Sequence, residues 1–430
     1  MTALRRTPAL QAYAGAAQLL GPVAGFVLER RASAGKEDRA RLSERRGIAS
    51  LPRPEGALVW LHAASVGESL VALSLAEALT AARSALSILI TSGTVTSAHL
   101  IARRAPERVM HQYVPVDRPS WAARFIAHWR PDAGVFLESE LWPNLISAAV
   151  QAGVPLALAN ARMNDASIRS WGRFSGAFRA LASSFDWIGA ADARTAQGLK
   201  RLTGKAPSLT ANLKLEAAQP DPDPQTLAQV RAALTGRPVF TAASTHAGEE
   251  AILARAHAGI LKTRPDALMI LAPRHPARAD EAGEALRAQG LAYVRRSDGG
   301  APDAGTPVWL ADTLGEMGLW YAVSPAAVIG GSFIDAIGGH NPVEATRAGS
   351  AAITGPYAAS FADVYAAYRA HDAVLTAANA DEIADAVLAI WDGRGPDAQA
   401  GTRAIASLPG GALAQTSAAI LNLLPREALS

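Results

Sequence analysis

The sequence contains no cysteine in 430 residues. Disulfides, thiolate metal sites and a cysteine nucleophile are therefore outside its chemistry, and a reducing compartment is compatible with it. Charge is also scarce, at 18% of residues, while half of the residues are hydrophobic. That balance excludes a disordered or fibrous chain and fits a well-buried α/β enzyme. The length exceeds what one core of about 100–200 residues supports, so two domains meeting at a cleft are expected. Internal repeats and low-complexity tracts are lacking too, which excludes solenoids.

What basic excess there is lies at one end. Residues 1–50 hold nine basic side chains (Arg5, Arg6, Arg30, Arg31, Lys36, Arg39, Arg41, Arg45, Arg46) against four acidic ones; of the 41 and 38 in the whole chain, 32 and 34 then remain for the body. A nucleic-acid-binding body would carry its own excess, so no nucleic acid is expected and the N-terminus points to an anionic membrane surface. Thr7 to Leu28 is free of charge and reaches the length of a spanning helix, about 20 residues, yet Pro8, Gln11, Gln18 and Pro22 dilute it. Spanning and lying on the membrane both stay open. Arg30 and Arg31 stand just before the small-residue site Ala32-Ser33-Ala34, which argues against a cleaved signal peptide and for a cytoplasmic body.

From Leu58 to Leu215, strand-length apolar runs (Leu58–His62, Ser87–Thr91, Ala133–Leu137, Val154–Ala159, Trp187–Ala190) alternate with amphipathic helical stretches, the rhythm of βαβ units. The segment Gln219-Pro-Asp-Pro-Asp-Pro-Gln225 reads as a linker, after which the rhythm resumes at Val239–Ala243, Ala267–Leu271 and Ala326–Ile329, and Ala412–Leu424 reads as a last helix. Ligands of such sheets gather where strands end and helices begin.

The junctions of the two halves differ. In the first, His62-Ala-Ala-Ser65-Val-Gly67-Glu68 leads into a helix expected near Ser69, and Glu138-Ser-Glu140-Leu-Trp-Pro143 again sets carboxylates at a strand end. A carboxylate so placed acts as general base or simply complements a helix dipole. In the second, Ser244-Thr245-His246, Pro273-Arg274-His275-Pro276 and Gly330-Gly331-Ser332 suit an anion: a forked guanidinium, hydroxyls and glycine amides. Asn341 and Pro342 read as N-cap and first residue of a helix that holds Glu344 and has free amides for a phosphate.

Competing motifs fail on spacing. Gly393-Arg-Gly-Pro-Asp-Ala398 follows a helical stretch and precedes no βαβ unit, and Gly204-Lys205 is followed by Ala206 where a phosphate loop needs a hydroxyl. A nicotinamide oxidoreductase and a nucleoside-triphosphate hydrolase are therefore disfavoured. Asp221 and Asp223 lie in the linker and read as solvated spacer, and His62, His246, His275 and His340 lack metal-ligand spacing, so neither metal nor cofactor is expected.

His62-Ala-Ala-Ser-Val-Gly-Glu68, Glu138-Ser-Glu-Leu-Trp-Pro143, Ala211-Asn-Leu-Lys214, Ser244-Thr-His-Ala-Gly-Glu-Glu250, Pro273-Arg-His-Pro276, Asp312-Thr-Leu-Gly-Glu316 and Gly338-Gly-His-Asn-Pro-Val-Glu344 resemble, in this order, the motifs of the 3-deoxy-D-manno-octulosonic acid (Kdo) transferases. The resemblance implies a GT-B fold, two Rossmann-like domains facing across a cleft, and inverting, metal-independent transfer from CMP-Kdo to lipid IVA in lipopolysaccharide synthesis at the cytoplasmic face of the inner membrane. It implies Glu68 as general base, with Ser65 and Gly67 beside it, and Glu138 or Glu140 together with Lys214 in support of the transition state; Arg162 falls on the acceptor side. Arg274, flanked by Pro273 and His275, would hold the CMP phosphate, Leu314-Gly315-Glu316-Met317 the cytosine, and Asn341, Pro342 and Glu344 the phosphate and ribose side. The implied boundaries are a membrane-associated segment 1–48, an acceptor domain 49–218, a linker 219–226, a CMP-sugar domain 227–410 and a C-terminal helix 411–430. Ala211 replaces the family's usual glycine, and Asn164-Asp165 its Ser-Glu. The alternatives are another GT-B nucleotide-sugar enzyme, an epimerase among them, and a non-catalytic lipid-binding protein.

Overall fold

The computed structural model describes residues 7–217, 221–234, 236–335, 337–396 and 398–425. Arg5 and Arg6 of the N-terminal basic cluster, Gln219 and Pro220 of the expected linker, and Asp397 of the rejected glycine motif lie outside them. The chain divides into two compact units, Met1–Ala218 with Gly410–Ser430, and Gln219–Pro409.

The first unit begins with helices α1 (Pro8–Leu19) and α2 (Gly21–Ser33). The uncharged stretch expected as one element is thus broken at Leu20, where Gly21 and Pro22 restart the helix. At about 1.5 Å per residue neither piece approaches the ~30 Å of a hydrocarbon core. A parallel sheet follows, from β1 (Leu58–His62), β2 (Ser87–Ser92), β3 (Val109–Tyr113), β4 (Ala133–Leu137), β5 (Leu156–Ala161), β6 (Trp187–Ala190) and β7 (Leu209–Thr210), with helices α3 (Val66–Ala82), α4 (Val95–Arg104), α5 (Pro119–Trp129), α6 (Pro143–Gln151), α7 (Asp165–Arg173), α8 (Ser175–Ala182) and α9 (Ala193–Thr203) between them. The order β3-β2-β1-β4-β5-β6-β7 reverses between β1 and β4. Both faces are covered, so the central strands are buried at every position and read as continuous apolar runs. Trp60, Phe125, Trp129 and Phe136 form one face of the core; Val59, Leu61, Leu75 and Leu79 belong to the other.

The second unit repeats the plan with β8 (Val239–Thr245), β9 (Leu268–Pro273), β10 (Tyr293–Arg295), β11 (Val308–Leu310), β12 (Ala326–Ile329), β13 (Ala351–Thr354) and β14 (Val374–Thr376), ordered β10-β11-β9-β8-β12-β13-β14 and parallel throughout. Its order reverses between β8 and β12. Helix α10 (Pro224–Ala233) opens the unit, so the expected linker is helical from Pro224 onward, and Asp223 accepts from the Thr226 amide at 2.8 Å as its cap rather than standing as spacer. Helices α11 (Glu249–Ile260), α12 (Ala279–Arg287), α13 (Met317–Ala322) and α14 (Val343–Arg347) connect the strands.

The terminal helix Ala412–Leu423 packs on α3 of the first unit, where Glu216 accepts from its Ala412 and Leu413 amides. Among the described residues, Gln399–Leu423 is the one stretch long and apolar enough to cross a membrane. It is interrupted between Ser407 and Ala412, and Ala412 and Ile420 of its second helix sit in the core of the first unit.

Candidate functional site

Each sheet reverses its strand order at one point, and in open α/β sheets the crevice at the carboxyl ends of those strands takes the ligand. The junctions singled out in the sequence lie there: Ala63–Glu68 follows β1 and Glu138–Trp142 follows β4, while Ser244–His246 ends β8 and Gly330–Ser332 follows β12.

In the first unit α3 starts at Val66, three residues before the expected position. Ser65 is its N-cap and Glu68 the third helical residue. Glu68 Oε2 accepts from the Ala64 amide at 2.8 Å, the Ser65 hydroxyl donates to Oε1 at 2.8 Å, and the Glu68 amide donates back to Ser65 Oγ at 3.3 Å. This is a capping box, and it fixes the carboxyl group in one orientation. Glu68 is only 7% exposed. Burial pushes its pKa up and the Glu138 charge adds to that, against the lowering effect of its two hydrogen bonds. A buried carboxyl made more basic than an ordinary glutamate has the property a general base needs.

Glu138 stands beside it in a left-handed backbone conformation, φ +57°, which costs about 1 kcal/mol for a non-glycine residue. Three contacts hold it there. Its carboxylate pairs with Lys214 Nζ, Asn160 Nδ2 donates to it at 3.4 Å, and the Glu138 amide donates to the Ala159 carbonyl at 3.0 Å. Asn160 also has positive φ, and its side chain accepts from the Leu213 amide at 2.9 Å. One asparagine therefore registers the Lys214 turn against Glu138. Asn212 caps that turn by accepting from the Lys214 amide at 3.0 Å. A methyl group built on Gly67 would lie 3.6 Å from Lys214 Nζ, so the lysine lies over the start of α3. Glu68, Glu138 and Lys214 are thus brought close together.

Glu140 takes a different place. Its Oε2 accepts from Trp142 Nε1 at 2.5 Å and lies 3.6 Å from Nε2 of the fully buried His62. Burial raises its pKa, but the His62 and Trp142 contacts outweigh that and leave the group more acidic than usual. Of the two carboxylates, Glu138 is the one in reach of the lysine. Arg162 is half-buried and its carbonyl accepts from the Ser139 hydroxyl. Asn164 caps α7 and Asp165 sits in its first turn, so the substituted pair starts a helix. Ala211 lacks the positive φ that would demand glycine.

In the second unit β8 ends in a bulge at Ser244, φ +55°. Two buried glutamates, outside the expected set, organise what surrounds it. Glu249, wholly buried, accepts from the amides of His246 (2.9 Å), Gly331 (2.8 Å) and Phe333 (3.0 Å). Glu250 accepts from the Thr245 hydroxyl at 3.0 Å and from Arg278 at 2.7 Å, and the Arg274 amide donates to the Thr245 carbonyl at 2.9 Å. Three junctions are thereby locked together. The arrangement leaves Arg274 and His275 exposed after Pro273, with Arg274 close enough to His246 and His340 to depress both. The two histidines stack with Nε2 atoms 2.9 Å apart, so one carries the proton and the other a lone pair. Burial, reinforced by Arg274, takes His340 down to about 4.

Several expected donors are already engaged. The Gly331 amide serves Glu249; the buried Ser332 hydroxyl bonds the Ile329 carbonyl at 2.6 Å and accepts from the Gly355 amide at 2.7 Å. Gly330 is packed against the backbone of Ala243 and Ser244. The Asn341–Pro342 expectation is off by one: α14 starts at Val343 with Pro342 in the cap position, and the Asn341 side chain accepts from the Val343 amide at 3.1 Å, so that amide is not free. Half-buried Glu344 lies near the buried Tyr321 hydroxyl. Glu316 pairs with Arg296 at 2.8 Å and accepts from Thr313, fixing a turn in which Gly315 needs its positive φ, Leu314 is exposed and Met317 packs inward.

Residues 40–217 match the family model described as 3-deoxy-D-manno-octulosonic-acid transferase (kdotransferase). The 3-deoxy-D-manno-octulosonic acid transferase of Bordetella pertussis is 38% identical over 337 residues, 74% of this chain and 76% of the relative; that of Haemophilus influenzae is 33% identical over 335 residues, 76% and 77%. A crystal structure of a glycosyltransferase from Rickettsia africae matches with TM-score 0.59 over 88% of this chain and all of its own, at 11% identity. The fold is GT-B, with two Rossmann-like α/β units.

Proposed function

The chain belongs to the 3-deoxy-D-manno-octulosonic acid transferases, and from that premise we propose that it moves Kdo from CMP-Kdo to lipid IVA with inversion at the anomeric carbon. The observation that carries the mechanism is Glu68: buried, made more basic by its surroundings, and held by Ala64 and Ser65 beside the Glu138–Lys214 pair. In the reaction Glu68 takes the proton of the acceptor hydroxyl, the oxygen bonds to the anomeric carbon, and the carbon–oxygen bond to phosphate breaks with its electrons leaving on CMP. Lys214 supplies positive charge to the transition state, and Glu138 fixes the ammonium in place. Arg274 of the second unit serves the departing phosphate. Glu138 and Glu140 are each met by proton donors of the protein, and no metal is required in this reading.

The acceptor is a lipid, and the N-terminal helices suit its surroundings. Leu19, Leu20, Val23, Phe26 and Val27 are exposed around the α1–α2 turn, and Arg30 and Arg31 end α2. Two short successive helices with an exposed apolar stretch and a basic flank suit an interface rather than a bilayer crossing. We place the protein on the anionic cytoplasmic face of the inner membrane, attached by these helices.

The test is transfer by the purified protein from CMP-Kdo to lipid IVA in the presence of chelator, read by product mass. The unmodified chain should give product and Glu68→Gln about 10²–10⁴-fold less. Absence of product from both, with donor and vesicles verified, rejects the substrate pair; loss of product on chelation alone rejects the metal-free mechanism.

A further inference from the structure

Helix α6 begins at Pro143 with Trp142 in the cap position and no side chain of its own to cap it. The cap comes from elsewhere in the chain. Asp117, 5% exposed, accepts from the Leu145 amide at 2.8 Å through Oδ1 and from the Asn144 amide at 3.1 Å through Oδ2, while Asn144 Nδ2 returns a bond to the Asp117 carbonyl at 2.7 Å. A carboxylate on the first amides of a helix also meets the positive end of its dipole. Oδ2 receives one more donor, the hydroxyl of Tyr13 on α1, at 3.0 Å.

The consequence lies one residue upstream. Glu138 to Trp142 runs between two anchors, the end of β4 at Leu137 and the capped start of α6. That short segment carries Glu138, which holds Lys214, and Glu140, which is bonded to Trp142 and faces His62. α1 reaches the other side of the same anchor: it packs on α5 and α6, Leu10 meets the core, and Leu19 and Leu20 at its far end are exposed. We infer that Tyr13 and Asp117 are positioning residues that couple seating of the N-terminal helices α1 and α2 on a lipid surface to the placement of the Glu138–Trp142 segment. This rests on the proposed transfer at that site, but its physical core, a hydroxyl–carboxylate link from α1 to the α6 cap, stands apart from the identity of the sugar.

The experiment uses the full chain with and without vesicles of phosphatidylglycerol and phosphatidylethanolamine, and compares it with Tyr13→Phe, which removes one hydroxyl and keeps the ring. Asp117→Asn serves as a second variant, and Phe26→Ser, at an exposed apolar position of α2, as a control. Hydrogen exchange in the peptide holding Asn144 and Leu145 is read alongside kcat, KM and vesicle flotation. Vesicles should slow that exchange about fivefold in the parent and less than half as much in Tyr13→Phe, at equal flotation. Transfer by Tyr13→Phe should lose kcat severalfold at unchanged donor KM, whereas Phe26→Ser should weaken flotation and raise acceptor KM. Equal slowing in parent and Tyr13→Phe overturns the coupling. So does a Tyr13→Phe chain whose only defect is weaker flotation, since Tyr13 would then be a membrane contact alone. Slowing that is weaker in Tyr13→Phe than in a parent that transfers no Kdo would reject the substrate assignment and leave the coupling supported.

Discussion

Both units set their candidate residues at the carboxyl ends of parallel strands, yet they use carboxylates in opposite ways. In the first, Glu68 feels the charge of Glu138, and Ala64, Ser65, Asn160 and Lys214 hold the two carboxyl groups in place. In the second, Glu249 and Glu250 are buried and hold backbone and hydroxyl donors of the turns, and Arg274 and His275 stay exposed beside them. One sheet plan thus presents negative charge on one unit and neutral or positive groups on the other. Glu68 and Glu249 both stand in the first turn of the following helix; the difference is that Glu68 lies beside a second carboxylate, Glu138, whereas Glu249 is wholly buried among backbone amides.

The largest break in this contrast is expected from Lys214→Met. Without the ammonium, Glu138 keeps its strained backbone but loses its counter-charge, and Glu68 feels that charge undiminished. Transfer should fall about 10²–10³-fold, the cost of losing one preorganised charge partner of a transition state, with a loss in kcat and little change in donor KM.

Glu249→Ala should break the other unit by stability rather than by rate. Three buried amides would lose their acceptor, and leaving such donors unsatisfied costs about 1–3 kcal/mol each before relaxation. A net loss of roughly 3 kcal/mol in chemical denaturation, with donor KM raised and vesicle flotation intact, is the expected pattern. Unchanged stability would show that Glu249 is not the strut the geometry describes. Arg274→Ala sharpens the comparison at smaller amplitude. The side chain is exposed and makes no ion pair among the described residues, so stability should hold, while loss of one charge-assisted bond to phosphate raises donor KM about tenfold.

The sequence made the frame of this comparison legible and hid part of its mechanism. β1, β4, β6 and β12 appear at the expected residues because buried parallel strands are short apolar runs. β5 begins at Leu156 and not Val154, since Pro155 has no N–H for the ladder. β3, written Val-Met-His-Gln-Tyr, escapes the same reading because His111 and Gln112 interrupt its apolarity although both are buried. Glu68, Glu138 and Arg274 are visible as unusual residue types at strand ends, and Lys214 only through the family resemblance. Asn160 is not, because its importance lies in a positive φ and in a bond to Leu213, 53 positions along the chain. Asp117 is hidden for the same reason: nothing near it in sequence shows that it caps a helix 26 residues later. Glu249 looks like any acid in a first helical turn, and only burial reveals it as a strut.

The smallest effect tests the electrostatic core of the first unit. Burial is the main cause of the raised Glu68 pKa and the Glu138 charge the second, so the acid limb of kcat/KM should lie above the ordinary glutamate range. Glu138→Gln removes the second cause and keeps the first, and the limb should move to lower pH without reaching the ordinary value. The stability effect has the opposite sense to that of a salt-bridged acid. A carboxyl with a raised folded-state pKa holds its proton more tightly in the folded chain, so its ionisation costs stability as pH rises from the ordinary carboxylate range through the raised value. Relative to the parent, Glu68→Gln should therefore gain stability as pH rises through that window, the difference levelling off above it. Should the parent instead gain on Glu68→Gln as pH rises, the hydrogen bonds from Ala64 and Ser65 would outweigh burial, and Glu68 would be a capping residue with an ordinary or lowered pKa.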